Sequence, residues 1–300
     1  MTEDAPSGTD LPLGRPRSPG VLLPVVLVAF AANSLITRHV VGKSLLDAGL
    51  LSGVRFVAGA VALLGLSLAR SERPVVGSAN VRPALWLGIY AVCISYGYRY
   101  IGAAAGTFVF YASVLLTLVA GDLARRTPIA ASRLIGAAVS LLGIGVLASG
   151  STGTVSVRGV LLLAATGVAW GLYTAAGRTT ADPRVATTGH FVLLAAVILF
   201  PTVVGAASGL RVTGSGLGWA VAMGAGTTAF AYVAWYVCQR SLSGAAAGSV
   251  QLVIPVITAI GAVVLLGEAI SLRLFVAAAM VMGGMWLGRA PNIVRPDNRG

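Results

Sequence analysis

The sequence predicts an all-α membrane protein with ten transmembrane helices, arranged as two inverted repeats of five helices each. The first reason is composition: 57% of the 300 residues are hydrophobic, only 10% are charged, and the mean hydropathy is +0.89. A soluble globular protein has about a quarter of its residues charged. The apolar residues also form long unbroken runs without a period of two, which favours helices over the strands of a β-barrel. Finally, the two halves of the chain share short motifs.

The first 20 residues are polar, rich in proline and glycine, and contain acidic side chains that a signal peptide lacks. We interpret residues 1–20 as a disordered cytoplasmic tail and residues 290–300 as a second cytoplasmic tail. Between them lie ten apolar segments, each near the roughly 20 residues that a helix needs to cross about 30 Å of hydrocarbon. The predicted spans are Val21–Val41, Asp47–Leu68, Ala84–Tyr100, Ala103–Leu123, Arg133–Ala148, Gly159–Ala176, Thr187–Ala207, Leu217–Cys238, Ala245–Leu266 and Leu272–Leu287.

Lysine and arginine residues are unevenly divided between alternate loops. Fourteen lie in the tails and near the loops that follow even-numbered spans, six lie on the opposite side, and Arg55 lies inside span two. Loops rich in these residues stay in the cytoplasm, so both termini are predicted to be cytoplasmic. The predicted location is the inner (plasma) membrane, with multiple passes. The six residues on the opposite side are Arg38, Lys43, Arg99, Arg158, Arg211 and Arg273.

Two short motifs recur at matching places in the two halves. Ala103–Thr107 opens span four with Ala-Ala-Ala-Gly-Thr, and Ala245–Ser249 opens span nine, 142 positions later, with Ala-Ala-Ala-Gly-Ser. Span four ends in Gly-Asp122 and span nine in Gly-Glu268. The alternative explanation is chance similarity between helices rich in alanine and glycine, but several matches keep the same order and nearly the same offset.

Each half contains five spans, and an odd number inverts the second half relative to the first. The sequence therefore predicts a first repeat over residues 21–149 and a second repeat over residues 158–289. Inverted repeats are typical of secondary transporters, which expose one central site alternately to each side of the membrane.

Longer motifs connect the chain to a known family. They are Phe30-Ala-Ala-Asn-Ser34, Ser52-Gly-Val-Arg-Phe56, Ala169-Trp-Gly-Leu-Tyr173, and Val250-Gln-Leu-Val-Ile-Pro-Val256 with Leu265-Leu-Gly-Glu268. Over about residues 21 to 289 the sequence resembles the EamA-type transporters of the drug/metabolite transporter (DMT) superfamily. Span four departs from the family pattern, because it has Ser113 where span nine has Pro255 and ends in Ala-Gly-Asp instead of Leu-Gly-Glu.

The resemblance implies a secondary transporter, proton-linked or facilitative, that exports or imports small organic metabolites or drugs by alternating access. Together with the repeat, it implies a central cavity lined by spans one to four and six to nine, with spans five and ten at the periphery. The solute, the direction of transport and the coupling ion stay open.

Arg55 lies about eight residues into span two and has no acidic residue at helical spacing. A cation in hydrocarbon costs several kcal/mol unless it reaches carbonyl groups, water or the interface. In one interpretation, Arg55 lines the cavity and attracts a carboxylate or phosphate of the solute. In the other, span two begins later and Arg55 lies at the membrane interface.

Two amides are further candidates for solute binding. Asn33 lies in the middle of span one, and Gln251 lies early in span nine, four residues before Pro255. Polar amides within a membrane must be paired inside the helix bundle. Each amide is therefore expected either to contact the solute or to form a hydrogen bond between helices.

Aromatic residues cluster in spans three, six and eight. Those near span ends are expected to form an interfacial belt. The deeper ones are better candidates for a solute pocket, and they are Tyr96, Trp170, Tyr173 and Tyr232.

No acidic residue lies in the middle of a predicted span, so the commonest proton-coupling device has no candidate. Glu268 and His190 are the remaining candidates for coupling. Glu268 is alternatively a polar residue that closes span nine at the interface. His190, which opens span seven and titrates near neutral pH in its ordinary state, is alternatively structural.

Missing motifs argue against two other function classes. An intramembrane enzyme needs a nucleophile with a base, a metal cluster or paired carboxylates, but the chain has no Gly-x-Ser-x-Gly, no His-Glu-x-x-His and two histidines in all. The membrane subunit of an ATP-driven transporter would need its ATPase on a separate chain, since no P-loop is present.

The expected partners are a small-molecule solute and the lipid bilayer. Nucleic acid is not expected, because the basic residues are scattered and form no continuous face. Cys93 and Cys238 lie in apolar runs and indicate neither a zinc site nor a disulfide framework. We therefore expect no metal and no cofactor, and leave open whether the chain forms a homodimer.

Overall fold

A computed structural model of the protein describes residues 20–74, 76–124, 130–148, 156–177, 180, 182–239, 250–251, 253–269 and 271–288. The described residues form ten helices and no β-strand. The helices are α1 (Leu22–Gly42), α2 (Ala48–Ala69), α3 (Ser78–Gly97), α4 (Ala103–Ala124), α5 (Ala131–Ala148), α6 (Val157–Gly177), α7 (Pro183–Ala207), α8 (Gly214–Gln239), α9 (Val253–Leu266) and α10 (Leu272–Gly288). Within α8, residues Gly224–Phe230 form a π-helix.

Six helices have the length and the apolar composition of a membrane span, namely α1, α2, α4, α6, α7 and α8. Helices α9 and α10 are apolar but shorter. The outside of the bundle is covered by large apolar side chains, such as Val197, Phe200 and Leu265, which are 75%, 76% and 71% exposed. Water-soluble proteins rarely expose extensive apolar surface, so this surface fits lipid tails.

Most helix bounds follow the predicted spans closely. Helix α9 begins at Val253, and the predicted start of span nine at Ala245 lies outside the described residues. Two other helices differ clearly at their starts. Helix α3 begins at Ser78 instead of Ala84, and α7 begins at Pro183 instead of Thr187. The carboxylate of Asp182 accepts hydrogen bonds from backbone N–H groups of the first turn of α7. Proline is favoured at the first helical position because no backbone donor is needed there. These capping signals lie in a polar stretch that hydropathy alone does not assign to the membrane.

Some of the predicted features lie outside the described residues. They are residues 1–19 of the N-terminal tail, the C-terminal tail, and the Ala245–Ser249 motif at the predicted start of span nine.

The loops after α1, α3 and α7 meet Ser156, the residue before α6, at one face of the bundle, which we call the Asp47 face. The N–H of Asp47 donates to the Arg211 carbonyl over 3.0 Å, and the N–H of Ser156 donates to the Tyr100 carbonyl over 3.1 Å. The loop after α9 joins this face through Glu268, as described below. The described parts of these loops therefore lie together at one face of the bundle.

Helices α5 and α10 pack closely against each other. A Cβ atom on Gly136 would collide with the carbonyl oxygen of Gly284, and a Cβ atom on Gly284 would collide with the carbonyl oxygen of Gly136. The Ser140 hydroxyl donates to the Val281 carbonyl over 3.3 Å across the same interface. Small residues allow such close approach between membrane helices. Apart from α5, the main neighbour of α10 is α4, which agrees with a peripheral position for this pair.

Candidate functional site

Aromatic side chains from α1, α3, α6 and α8 meet inside the bundle. Trp170 lies at their centre, with ring centroids 5.3 Å from Phe30, 5.3 Å from Tyr90 and 4.8 Å from Tyr232. These rings and Asn33 help to enclose a cavity of about 10 Å³, which has room for about one water molecule. We call Phe30, Asn33, Tyr90, Trp170 and Tyr232 the central cluster. Three of its members are candidates that the sequence identifies.

Both predicted amides make hydrogen bonds between segments distant in the chain. The Asn33 side-chain amide donates to the Thr228 hydroxyl over 3.0 Å, which joins α1 to the π-helical part of α8. The indole N–H of Trp170 donates to the side-chain oxygen of Gln251 over 3.1 Å, which joins α6 to the segment before α9. These contacts satisfy the requirement that buried amides be paired. Asn33 lines the cavity, and Gln251 is one hydrogen bond away from it through Trp170.

Arg55 is fully buried in α2 beside the central cluster. Its Nη1 donates to Asn33 over 3.5 Å, its Nη2 donates to the Ala91 carbonyl over 3.4 Å, and its Nε has no partner among the described residues. Charge-assisted hydrogen bonds are normally about 2.7–2.9 Å long. The guanidinium carbon also lies 4.8 Å from the ring centroid of Phe56 and 5.7 Å from that of Tyr90. Arg55 is therefore inside the bundle, held by long hydrogen bonds and ring faces.

The backbone of α2 at Arg55 packs directly on the π-helical segment of α8. A Cβ atom on Gly224 would collide with the carbonyl oxygen of Arg55, and a Cβ atom on Gly59 would lie 3.1 Å from the carbonyl oxygen of Gly224. The same π-helical segment presents the Thr228 hydroxyl to Asn33. Short π-helical segments occur frequently at functional sites. This contact therefore positions both Arg55 and Asn33.

Tyr96 is the predicted pocket residue that does not reach the central cluster. It is half-buried near the Asp47 face, where a Cβ atom on Gly49 would lie 3.1 Å from its hydroxyl. Tyr90, one of the residues that sequence reasoning did not select, occupies the position expected of Tyr96. Helix α3 ends at Gly97 instead of Tyr100, so Tyr96 lies in its last turn, whereas Tyr90 lies six residues further into the helix.

His190 and Tyr173 form a hydrogen-bonded pair at the border of the central cluster. His190 is buried two turns into α7, with Nδ1 3.2 Å from the Tyr173 hydroxyl. The Tyr236 hydroxyl donates to the Tyr173 carbonyl over 3.0 Å, and the rings of Trp170 and Tyr173 are 5.6 Å apart. The expected position of His190 at the start of the helix is wrong, because α7 begins earlier than hydropathy indicates.

Similarity to known proteins identifies the family of this chain. The EamA-like transporter family model matches residues 157–288. An uncharacterized protein of Pseudomonas aeruginosa is 32% identical over 282 residues, which covers 93% of this chain and 97% of that protein. This chain belongs to the EamA-like transporter family.

Two further matches have lower identity. A protein of Archaeoglobus fulgidus described as an uncharacterized transporter is 22% identical over 229 residues, or 76% of this chain and 81% of that protein. A protein crystal structure matches with a TM-score of 0.66 at 22% identity, covering 91% of this chain and 98% of that one, which shows a shared fold. Family membership and the apolar helices together indicate a multi-pass membrane transporter of the DMT superfamily.

In this EamA-like protein, Glu268 lies at the Asp47 face, in the loop between α9 and α10. Its carboxylate accepts hydrogen bonds from Arg38 Nε over 3.1 Å and from the backbone N–H of Ala103 over 2.9 Å. Arg38 in turn donates to the Tyr98 carbonyl over 2.9 Å. A carboxylate is stabilised at the N-terminus of a helix such as α4. Glu268 therefore connects α1, the end of α3, the start of α4 and the loop after α9.

Proposed function

We propose that this EamA-like protein is a secondary transporter that moves small organic metabolites or drugs across the cytoplasmic membrane by alternating access. The observation that carries the proposal is the central cluster. Helices from both halves of the chain contribute its aromatic rings, and the first half contributes its amide, Asn33, and the neighbouring Arg55. Solute sites in secondary transporters with internal repeats lie near the middle of the membrane, at the interface between the repeats.

The pattern of helix packing supports the division into two inverted repeats, with bounds near 21–149 and 158–289. The helices of the two halves correspond in chain order, from α1 with α6 to α5 with α10. When each helix is exchanged for its counterpart, the main contacts between helices map onto each other. The contact of α3 with α6 corresponds to that of α1 with α8, and the contact of α4 with α6 corresponds to that of α9 with α1. The α3–α7 contact likewise corresponds to the α8–α2 contact, and α5 packs on its own counterpart, α10. Two repeats related by a twofold axis account for this pattern.

The size of the central cavity indicates what must move during transport. A cavity of about 10 Å³ is far smaller than the roughly 300–1,000 Å³ of pockets that bind small molecules. The ring contacts of Trp170 with Phe30 and Tyr90 therefore have to separate before a solute enters. Since Trp170 and Phe30 belong to opposite halves, movement of one half against the other opens the cluster.

We assign both termini to the cytoplasm, because the Asp47 face has six Lys and Arg residues in its loops and adjoining helix ends, against fourteen assigned to the opposite side. Of the two coupling candidates, His190 is placed next to the central cluster by its contact with Tyr173. We therefore propose His190 as the group that couples transport to protons and Glu268 as a structural link at the Asp47 face.

The experiment that tests this function is solute counterflow in proteoliposomes. Purified protein is reconstituted, the vesicles are loaded with one unlabelled metabolite from a broad panel, and uptake of the same labelled metabolite is followed. We expect accumulation for a subset of the panel, without ATP and absent from protein-free vesicles. Transport that occurs only when ATP is supplied, or no counterflow for any member of the panel, would contradict a self-contained secondary transporter.

A further inference from the structure

The buried charge of Arg55 lacks a counter-ion in the described part of the chain. The ion pairs found there join Arg38 to Glu268, Arg99 to Asp47 and Arg184 to Glu72. A fully buried cation without a partner is unfavourable, because burial removes its hydration. Its hydrogen bonds of 3.4 and 3.5 Å are too long to replace that hydration well, and its Nε has no partner there. The site therefore favours the arrival of a negative group.

Arg55 is connected to the cavity through side chains that touch both. The Oδ1 atom of Asn33 accepts a hydrogen bond from Arg55 and one from the Tyr90 hydroxyl, each over 3.5 Å. Asn33 and Tyr90 also line the cavity. An anion that enters the opened cluster beside these two residues meets the guanidinium, whose planar fork suits a bidentate contact with a carboxylate.

The rest of the cavity wall is aromatic. Phe30, Tyr90, Phe110, Trp170 and Tyr232 contribute rings to it, and ring faces and edges pack well against a flat apolar body. Among the described residues, the cavity lining contains no carboxylate that would pair with an ammonium group. The single charge of Arg55 matches a single negative charge on the solute.

We propose that the solute is an organic monoanion with a carboxylate on a flat, mainly apolar body, and that Arg55 is its counter-ion. This inference rests on the proposed function, because it assigns the substrate class of the same central cluster. The carboxylate replaces the long contact between Arg55 and Asn33, and the apolar body takes the place of ring contacts around Trp170.

The test uses three compounds that share a phenyl ring and differ in charge: phenylacetate, its neutral amide phenylacetamide, and zwitterionic phenylalanine. Binding to the purified full-length protein in detergent is measured by calorimetry at neutral pH. We expect phenylacetate to bind at least tenfold more tightly than either of the other two. This comparison uses the wild-type protein, so it does not depend on the folding of any variant.

Arg55→Met is expected to weaken phenylacetate binding by roughly ten- to a hundredfold, and Arg55→Lys is expected to retain part of the affinity. Arg184→Met is the matched control, because it removes an arginine that pairs with Glu72 at a partly exposed site. This variant should bind phenylacetate as tightly as the wild-type protein does. Thermal unfolding of each variant monitors folding.

Equal or tighter binding of phenylacetamide or phenylalanine, or no binding of phenylacetate at millimolar concentration, would overturn the anion class. The same result would leave the transport proposal intact if counterflow is observed for another class of metabolite. Binding of phenylacetate that depends on Arg55, without counterflow of phenylacetate, would support the site chemistry and count against transport.

Discussion

Replacing Trp170 with alanine is expected to destabilise the protein more than any other single truncation in the central cluster. Trp170 is 2% exposed, and its ring lies within 6 Å of those of Phe30, Tyr90, Tyr173 and Tyr232. Truncating a buried tryptophan to alanine costs about 3–5 kcal/mol. The expected result is a clear fall in the unfolding temperature of the detergent-purified protein, accompanied by loss of counterflow.

Two further variants separate the causes of this effect. Trp170→Phe retains a ring but removes the N–H donor to Gln251. Loss of this hydrogen bond should lower the free energy of unfolding by about 1–3 kcal/mol. Trp219→Ala is the matched control, because this tryptophan of α8 is 44% exposed and pairs edge-on with His39 outside the cluster. If Trp219→Ala lowers the unfolding temperature as much as Trp170→Ala does, the account of a tightly packed central cluster is wrong.

Replacing Gly224 with alanine is also expected to destabilise the protein. The added Cβ atom would collide with the backbone oxygen of Arg55 and lie 3.1 Å from the Cβ atom of Ala58, and a backbone oxygen cannot rotate away as a side chain can. Overpacking of this kind costs about 1–3 kcal/mol, which corresponds to a fall of about 2–5 °C in the unfolding temperature of a chain of this length. Because the collision is at Arg55 itself, binding of an anionic solute should weaken as well.

Gly226 provides the control for this prediction. It lies two residues further along the same π-helical segment, and a Cβ atom there would have no neighbour within 4 Å. Alanine in place of glycine within a helix is normally favourable by up to about 1 kcal/mol. Gly226→Ala should therefore unfold at the wild-type temperature or slightly above it. Equal destabilisation by both substitutions would show that the π-helical segment tolerates no side chain, and the Arg55 contact would then not be the cause.

Much of the helical architecture is predictable because the membrane imposes one length scale on every helix. The apolar run Val21–Val41, for example, matches α1 to within a residue at each end. The same reasoning fails at α3, where Asn80 and Arg82 make the first turns polar although they are helical. Helix α3 has no side-chain cap at its start and packs against α6 and α7, and hydropathy does not measure such packing.

The site is predictable in part, because unusual residues in apolar spans have to be buried together. Asn33 and Arg55 stand out in the sequence for this reason, and the structure brings them to within 3.5 Å of each other. Tyr90 and Thr228 do not stand out, since a tyrosine or a threonine is ordinary in a membrane helix. Their roles depend on where α3 begins and ends and on the π-helical segment of α8. Neither feature has a reliable signature in a single sequence.

In alternating access, the buried central cluster becomes accessible to water from each side of the membrane in turn. Ser34 is suited to a test, because it is 1% exposed and lines the central cavity. Cys93 and Cys238 are first replaced by alanine, and Ser34 is then replaced by cysteine. Ser140→Cys is the control, since Ser140 is fully buried between α5 and α10, away from the cavity.

The measurement is the rate at which a charged, membrane-impermeant thiol reagent modifies the introduced cysteine in right-side-out vesicles and in inside-out vesicles. We expect the cysteine at position 34 to react in both vesicle types and the cysteine at position 140 to react in neither. No reaction at position 34 in either vesicle type, or reaction in one type alone, would contradict alternating access to the central cluster.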